Sequence, residues 1–148
     1  MSYIRFAAMI ATSVVAMYIL MYLNTYSFDH IYWSQTRGWM ALYMGAVMAL
    51  IMLGYMLALY RNRAANIAIL ILGVGVFSAS LYLLRSQNTV DDVSWMRAMI
   101  PHHSIAILTS ERAKITDPRV RTLADEIIVT QRREIEEMQT LIYDLKSR

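Results

Sequence analysis

The chain has 148 residues, of which 57% are hydrophobic and only 17% charged, with a formal net charge of +3 and no cysteine. That balance exceeds what a soluble domain carries and marks a membrane protein. The basic excess forms no face with interleaved aromatics, so nucleic-acid binding is not expected, and the lack of cysteine leaves the compartment open. Of the eleven acidic residues only Asp29 precedes Leu84, so the chain divides into a membrane domain, 1–87, and an extramembrane part, 88–148.

Three apolar runs, 4–23, 39–60 and 66–84, are long enough to cross a hydrocarbon core of about 30 Å, which takes about 20 helical residues. The first is read as a span rather than a signal peptide, because Tyr-Leu-Asn-Thr-Tyr follows it in place of a small-residue cleavage site. Arg5 precedes the first span, and Arg61 and Arg63 separate the second from the third. Positive loops stay inside. The N-terminus is therefore expected in the cytoplasm and the part after Arg85 outside, although Arg37 and Arg85 count the other way.

Tyr18, Tyr22, Tyr26, Tyr32, Trp33, Trp39 and Tyr60 mark the ends of the first two spans, as amphipathic rings do at headgroup level. Small residues recur at spacing four, Ala41, Gly45 and Ala49 in the second span and Gly75 and Ala79 in the third, and predict close helix packing with the second span central. Met40, Met44, Met48, Met52 and Met56 form a further row. It winds through roughly 160° and reads mainly as a packing ridge, with Met40 and Met44 as secondary metal candidates beside Asp29 and His30 in the outer loop.

After the third span, Thr89 and Asp92 resemble a capping box and start a helix over about 90–114, which Pro101 should kink. Thr116-Asp117-Pro118 starts a second helix over about 117–146. Two helices joined by a short turn make an antiparallel hairpin. So small a unit buries little surface, and it is expected to complete a four-helix bundle with a copy of itself or to dock on another subunit.

The stretch WMRAMIPHHSIAILTSE, 95–111, carries the chemistry. Met96, Met99 and His103 fall on one helix face and His102 lies beside them, while the second helix offers Gln131, Glu134 and Met138 at the same three-and-four spacing. Thioether sulfur is a soft ligand and imidazole suits copper, zinc, iron and nickel, so the mixture favours copper, with zinc or iron as alternatives. Glu134 aimed at a core needs a cation or a hydrogen-bond partner. No HExxH, glycine-rich phosphate loop or Gly-x-Ser-x-Gly elbow occurs, which leaves hydrolase and nucleotide readings without support.

Met-Ile-Pro-His-His-Ser-Ile-Ala-Ile at 99–107, followed by Leu123-Ala124, Ile127-Ile128, Gln131, Glu134-Ile135 and Met138, resembles the domain-of-unknown-function 305 family over about Asp91–Leu145. The loop with Asn24-Thr25-Tyr26, Asp29-His30, Ser34, Thr36 and Arg37 resembles that of a three-span membrane branch of the family. The resemblance implies a ferritin-like helical domain, bacterial and often exported, some of whose relatives bind copper. It implies that Met99, His102, His103, Glu134 and Met138 touch metal. Ser104-Ile105 stand where the family often has Gln-Gly, Thr109 stands in place of a methionine, and the hairpin occurs once rather than twice. These departures argue against a high-capacity store and for a homo-oligomer.

The expectation is thus an all-α chain, three transmembrane helices and a ferritin-like hairpin, in a bacterial inner membrane with the hairpin periplasmic or extracellular. It binds or passes on metal, and it is not an enzyme, since di-metal bundles need Glu-x-x-His pairs, absent here. Its expected partners are lipid and its own copies, through the hairpin and the second span. The alternative is an accessory subunit of a larger membrane complex without a metal role.

Overall fold

The computed structural model describes residues 2–147, and among them there is no strand. The helices are α1 (Tyr3–Leu20), α2 (Gln35–Met56), α3 (Arg63–Ser86), α4 (Asp92–Arg112) and α5 (Pro118–Lys146), with a short 3-10 turn at Phe28–His30. The first three are long and apolar enough to cross a membrane. The chain forms two compact units, one of residues up to 21 with Thr36–Thr89, the other of Tyr22–Gln35 with Val90 onward. The loop between α1 and α2, placed by sequence in the 1–87 segment, thus groups with α4 and α5.

Polar side chains set the helix ends of the first unit. The Ser2 hydroxyl accepts from Ile4 N–H at 3.2 Å and Asn62 Oδ1 from Ala65 N–H at 3.1 Å, each filling a donor that the first turn leaves open. At the far end of α1 the buried Arg37 guanidinium donates to the Met21 carbonyl. A cation there offsets the negative end of the helix dipole. α3 closes on Gln87, a non-glycine residue in the left-handed region at φ 54°.

The small-residue row of α2 is buried as expected: Ala41, Gly45 and Ala49 all lie inside. A methyl group on Gly45 would collide with Val14 Cγ2 of α1, and one on Gly73 would meet Leu50 Cδ2 at 2.7 Å. α2 therefore touches both neighbours. In α3 the buried small residues are Gly73 and Ser80, not Gly75 and Ala79, which are exposed. Gly73 lies about 200° around the helix from Gly75, so the spacing-four pair was real but on the wrong side.

The second span also differs from its expected bounds. α2 starts at Gln35 and ends at Met56, and after a turn Tyr60 is 1% exposed rather than a headgroup anchor. Its ring packs on Tyr3 and Phe6 with centroids 5.0 and 5.4 Å apart. The Tyr3 hydroxyl meets Asn66 Oδ1 at 2.9 Å, and Asn66 Nδ2 donates to the Tyr60 carbonyl at 2.7 Å. These bonds hold the α2–α3 turn to the start of α1. Met52 and Met56, the last two of the methionine row, pack against the cluster of Phe6, Ala49, Leu53 and Tyr60.

In the second unit α4 begins at Asp91, whose carboxylate accepts from Ser94 N–H at 2.7 Å, so the cap falls two residues beyond Thr89. That bond holds the Asp91 carboxyl below its ordinary pKa. Of Thr116 and Asp117, both read as caps from sequence, it is Asp117 that caps α5, with Pro118 in the first turn as expected. α4 runs unbroken through Pro101, whose ring is buried. Met96, Ile100 and Ile107 of α4 meet Ile135, Met138 and Ile142 of α5. Arg121 donates to the Ser110 carbonyl at the closed end, while Trp95 shares a groove with Leu141 and Leu145 at the open end. The helices are therefore antiparallel.

Gly45→Ala is expected to lower stability by about 1–3 kcal/mol, the usual cost of overpacking, whereas Gly75→Ala, with nothing within 4 Å of the added carbon, leaves it unchanged. Thermal unfolding of the two variants in detergent micelles checks the difference.

Candidate metal centre

Successive residues on a helix point about 100° apart, and in α4 this separates the two histidines. His103 is turned toward α5, where its Nε2 lies 3.3 Å from Glu134 Oε2. His102 is exposed, its ring centroid 6.0 Å from that of His103. Met96 and Met138 are buried in the core between the helices and Met99 packs against it. Met99 lies one turn before His103, and Met138 one turn after Glu134. The hairpin thus brings His103, Glu134 and three thioether side chains to one stretch of the α4–α5 seam and leaves His102 at its edge.

Burial pushes the His103 imidazole below its ordinary pKa, against the pull of Glu134 and with a smaller push from His102. The ring is therefore neutral near pH 7, with one N–H and one lone pair. A carboxylate accepts, so Oε2 at 3.3 Å favours the tautomer with the proton on Nε2. The lone pair is then on Nδ1, which is buried and has no hydrogen-bond partner. A buried unpaired acceptor costs free energy. Gln131 Oε1, one turn before Ile135, is in the same position.

Among the described residues no three His, Cys, Asp or Glu side chains come together in a metal-binding group. The described residues thus do not gather the four-ligand His/Cys/Asp/Glu set of a structural zinc site. One imidazole, with the thioethers of Met99 and Met138 a helical turn away, is a soft rather than a hard set of side chains. Glu134, 3.3 Å from the far nitrogen, stands where carboxylates orient a ligating histidine.

Ser104, the residue after the histidine pair, is completely buried and faces the 22–35 segment. Its hydroxyl accepts from Tyr26 N–H at 2.7 Å and lies 2.9 Å from His30 Nδ1. Either the serine hydroxyl donates to Nδ1 or Nδ1–H donates to the hydroxyl's second lone pair, according to the His30 tautomer. Burial holds His30 below its ordinary pKa, opposed by Asp29. Asp29 is exposed, and neither it nor His30 joins His103 and Glu134 in a group. Met40 and Met44 are half-buried in α2 of the first unit. Glu111 pairs with Arg132 at 2.5 Å, and that guanidinium also reaches the Tyr26 hydroxyl at 3.2 Å and covers its ring.

The family described as Domain of unknown function (DUF305) matches residues 80–147, which takes in the hairpin and the whole candidate centre. The chain belongs to the DUF305 family. It is also 31% identical over 147 residues to an uncharacterized protein of Acanthamoeba polyphaga mimivirus, a match that covers 94% of each chain. That likeness extends beyond the DUF305 region through the three apolar helices. No solved structure matches the chain.

Sequence reading did not single out Ser104 as a contact in this DUF305 chain. The signal was there, since position 104 lies one turn from both Ile100 and Ile107 and a small polar residue interrupts an apolar row.

Both imidazoles titrate below their unfolded value of about 6.5, so below that pH the unfolded chain binds more protons than the folded one. Their contribution is complete above about pH 6.5 and is lost as pH falls through the folded values. Amide protection of Ile100 and Ile107 in metal-free protein should therefore drop between pH 7.5 and 5. The double variant His30→Gln, His103→Gln should flatten that drop, and equal wild-type protection at both pH values would contradict it.

Proposed function

We propose that the chain is a membrane-anchored metal-handling protein of the cell envelope that binds copper as Cu(I) through its helical hairpin and stores it briefly or passes it on. The observation that carries this reading is the buried, unpartnered Nδ1 of His103, with Nε2 3.3 Å from Glu134 and with Met99 and Met138 one helical turn from that pair. His103 and Met99 would hold the ion with Met96 or Met138, Glu134 would orient the ring, and His102 at the edge would hand the ion in or out. A bound soft cation would relieve the unpaired lone pair.

Arg5, Arg61 and Arg63 support a cytoplasmic N-terminus, with the hairpin on the other side of the membrane. Arg37, which counted against that orientation, caps α1 and so has a structural reason to be where it is. The exposed apolar flank of Trp95, Leu123, Leu141 and Leu145 supports pairing of hairpins into a bundle. The same flank would serve an accessory subunit docking on a larger complex, which is the second reading.

Purified full-length protein, loaded with Cu(I) and assayed by elemental mass spectrometry, should carry close to one ion per chain. His103→Ala should lose it. Met99→Leu and Met138→Leu keep the apolar volume and should weaken binding by about tenfold or more, since a soft ligand is removed without emptying the core. No copper in the wild type, together with stoichiometric co-purifying membrane proteins, would favour the accessory subunit.

A further inference from the structure

The segment between α1 and α2 has two edges of opposite character. His30 closes the 3-10 turn and Ile31 is extended, and from His30 to Ser34 inward and outward side chains alternate. His30, Tyr32 and Ser34 are turned inward: His30 meets Ser104, Tyr32 packs on the hairpin core and receives Gln139 Nε2 at 3.4 Å, and Ser34 is fully buried. Ile31 and Trp33 point the other way and are 43% and 69% exposed, and Phe28 in the preceding turn is 89% exposed. Three large apolar side chains in six residues would be an unusual burden in water.

The ends of the segment show what covers them. It leaves α1 at Leu20 and enters α2 at Gln35, and both helices are long and apolar enough to cross a membrane. Residues 21–34, running out and back, reach no more than about 25 Å from those helix ends. Trp33 is only two residues from Gln35 and so within about 7 Å of the start of α2, a reach comparable with the thickness of the headgroup layer, where tryptophan and other amphipathic or apolar side chains are favoured.

We propose that residues 28–33 form a lipid-interface wedge, with Phe28, Ile31 and Trp33 inserted at headgroup depth while the opposite edge of the same segment is clasped to α4 through Ser104. The wedge anchors the hairpin at the membrane surface by its own loop, and the clasp fastens to the residue next to His103. Of the aromatic residues around the outer ends of the spans, Tyr26 and Tyr32 hold the hairpin and Phe28 and Trp33 hold the lipid.

The chain has no cysteine, so single cysteines at positions 28, 33 and 129 can each carry a fluorophore in full-length protein. Val129, 70% exposed on α5, is the water reference. In phosphatidylcholine nanodiscs, nitroxide attached near the lipid headgroups should quench Phe28→Cys and Trp33→Cys labels at least threefold more than the Val129→Cys label, and iodide should quench them less. Labels at 28 and 33 that behave like the one at 129 would overturn the wedge. Labels shielded from both quenchers would overturn it as well, since a second copy or another protein would then cover this edge. Ser104→Ala should speed exchange of the Tyr26 amide at least tenfold while lipid quenching at position 28 persists. Unchanged exchange would overturn the clasp.

Discussion

A hairpin of two helices has little apolar surface to bury, and α4 spends part of that surface on two polar neighbours, His103 and Ser104. Being about 100° apart on the helix, they face different partners. His103 meets Glu134 of α5, and Ser104 receives the backbone of Tyr26 and the ring of His30. Each of these groups would be costly to bury alone. Together they fix α4 against α5 on one side and against the 22–35 segment on the other, so the register of the second unit follows from this adjacent pair.

The same geometry separates the roles of the two histidines. His103 is held, neutral and left with a buried lone pair on Nδ1, whereas His102 is exposed. An imidazole with one nitrogen facing a carboxylate and the other buried and unpaired is the group on which the proposed soft-cation site rests. Membership of the DUF305 family covers this hairpin, and the likeness to the mimivirus protein runs through the apolar helices too. That likeness runs along almost the whole chain.

Much of this was legible in the sequence, for reasons that also explain what was not. The apolar runs and the Asp117-Pro118 start gave the helices because length and capping are local properties. Tyr60 was misplaced because an aromatic residue at the end of an apolar run suits a headgroup layer and a folded-back turn equally well. Gly75 was chosen over Gly73 because spacing alone does not say which face of α3 meets α2. Asp91 displaced Thr89 as a cap because several polar residues in a row offer the same oxygen. The facing of His103 and Glu134 followed from periodicity, but the clasp of Tyr26 and His30 on Ser104 joins residues more than seventy positions apart, and no local pattern announces it.

The most direct test of the account is the protonation of the His103 ring, observed by nitrogen-15 NMR in the full-length protein near pH 7 before and after Cu(I) is added. The account predicts a proton on Nε2 and a bare Nδ1 in the metal-free protein, with the Nδ1 resonance alone shifting strongly as the ion binds. A proton on Nδ1, or an Nδ1 resonance that does not move while copper is bound elsewhere, would contradict it.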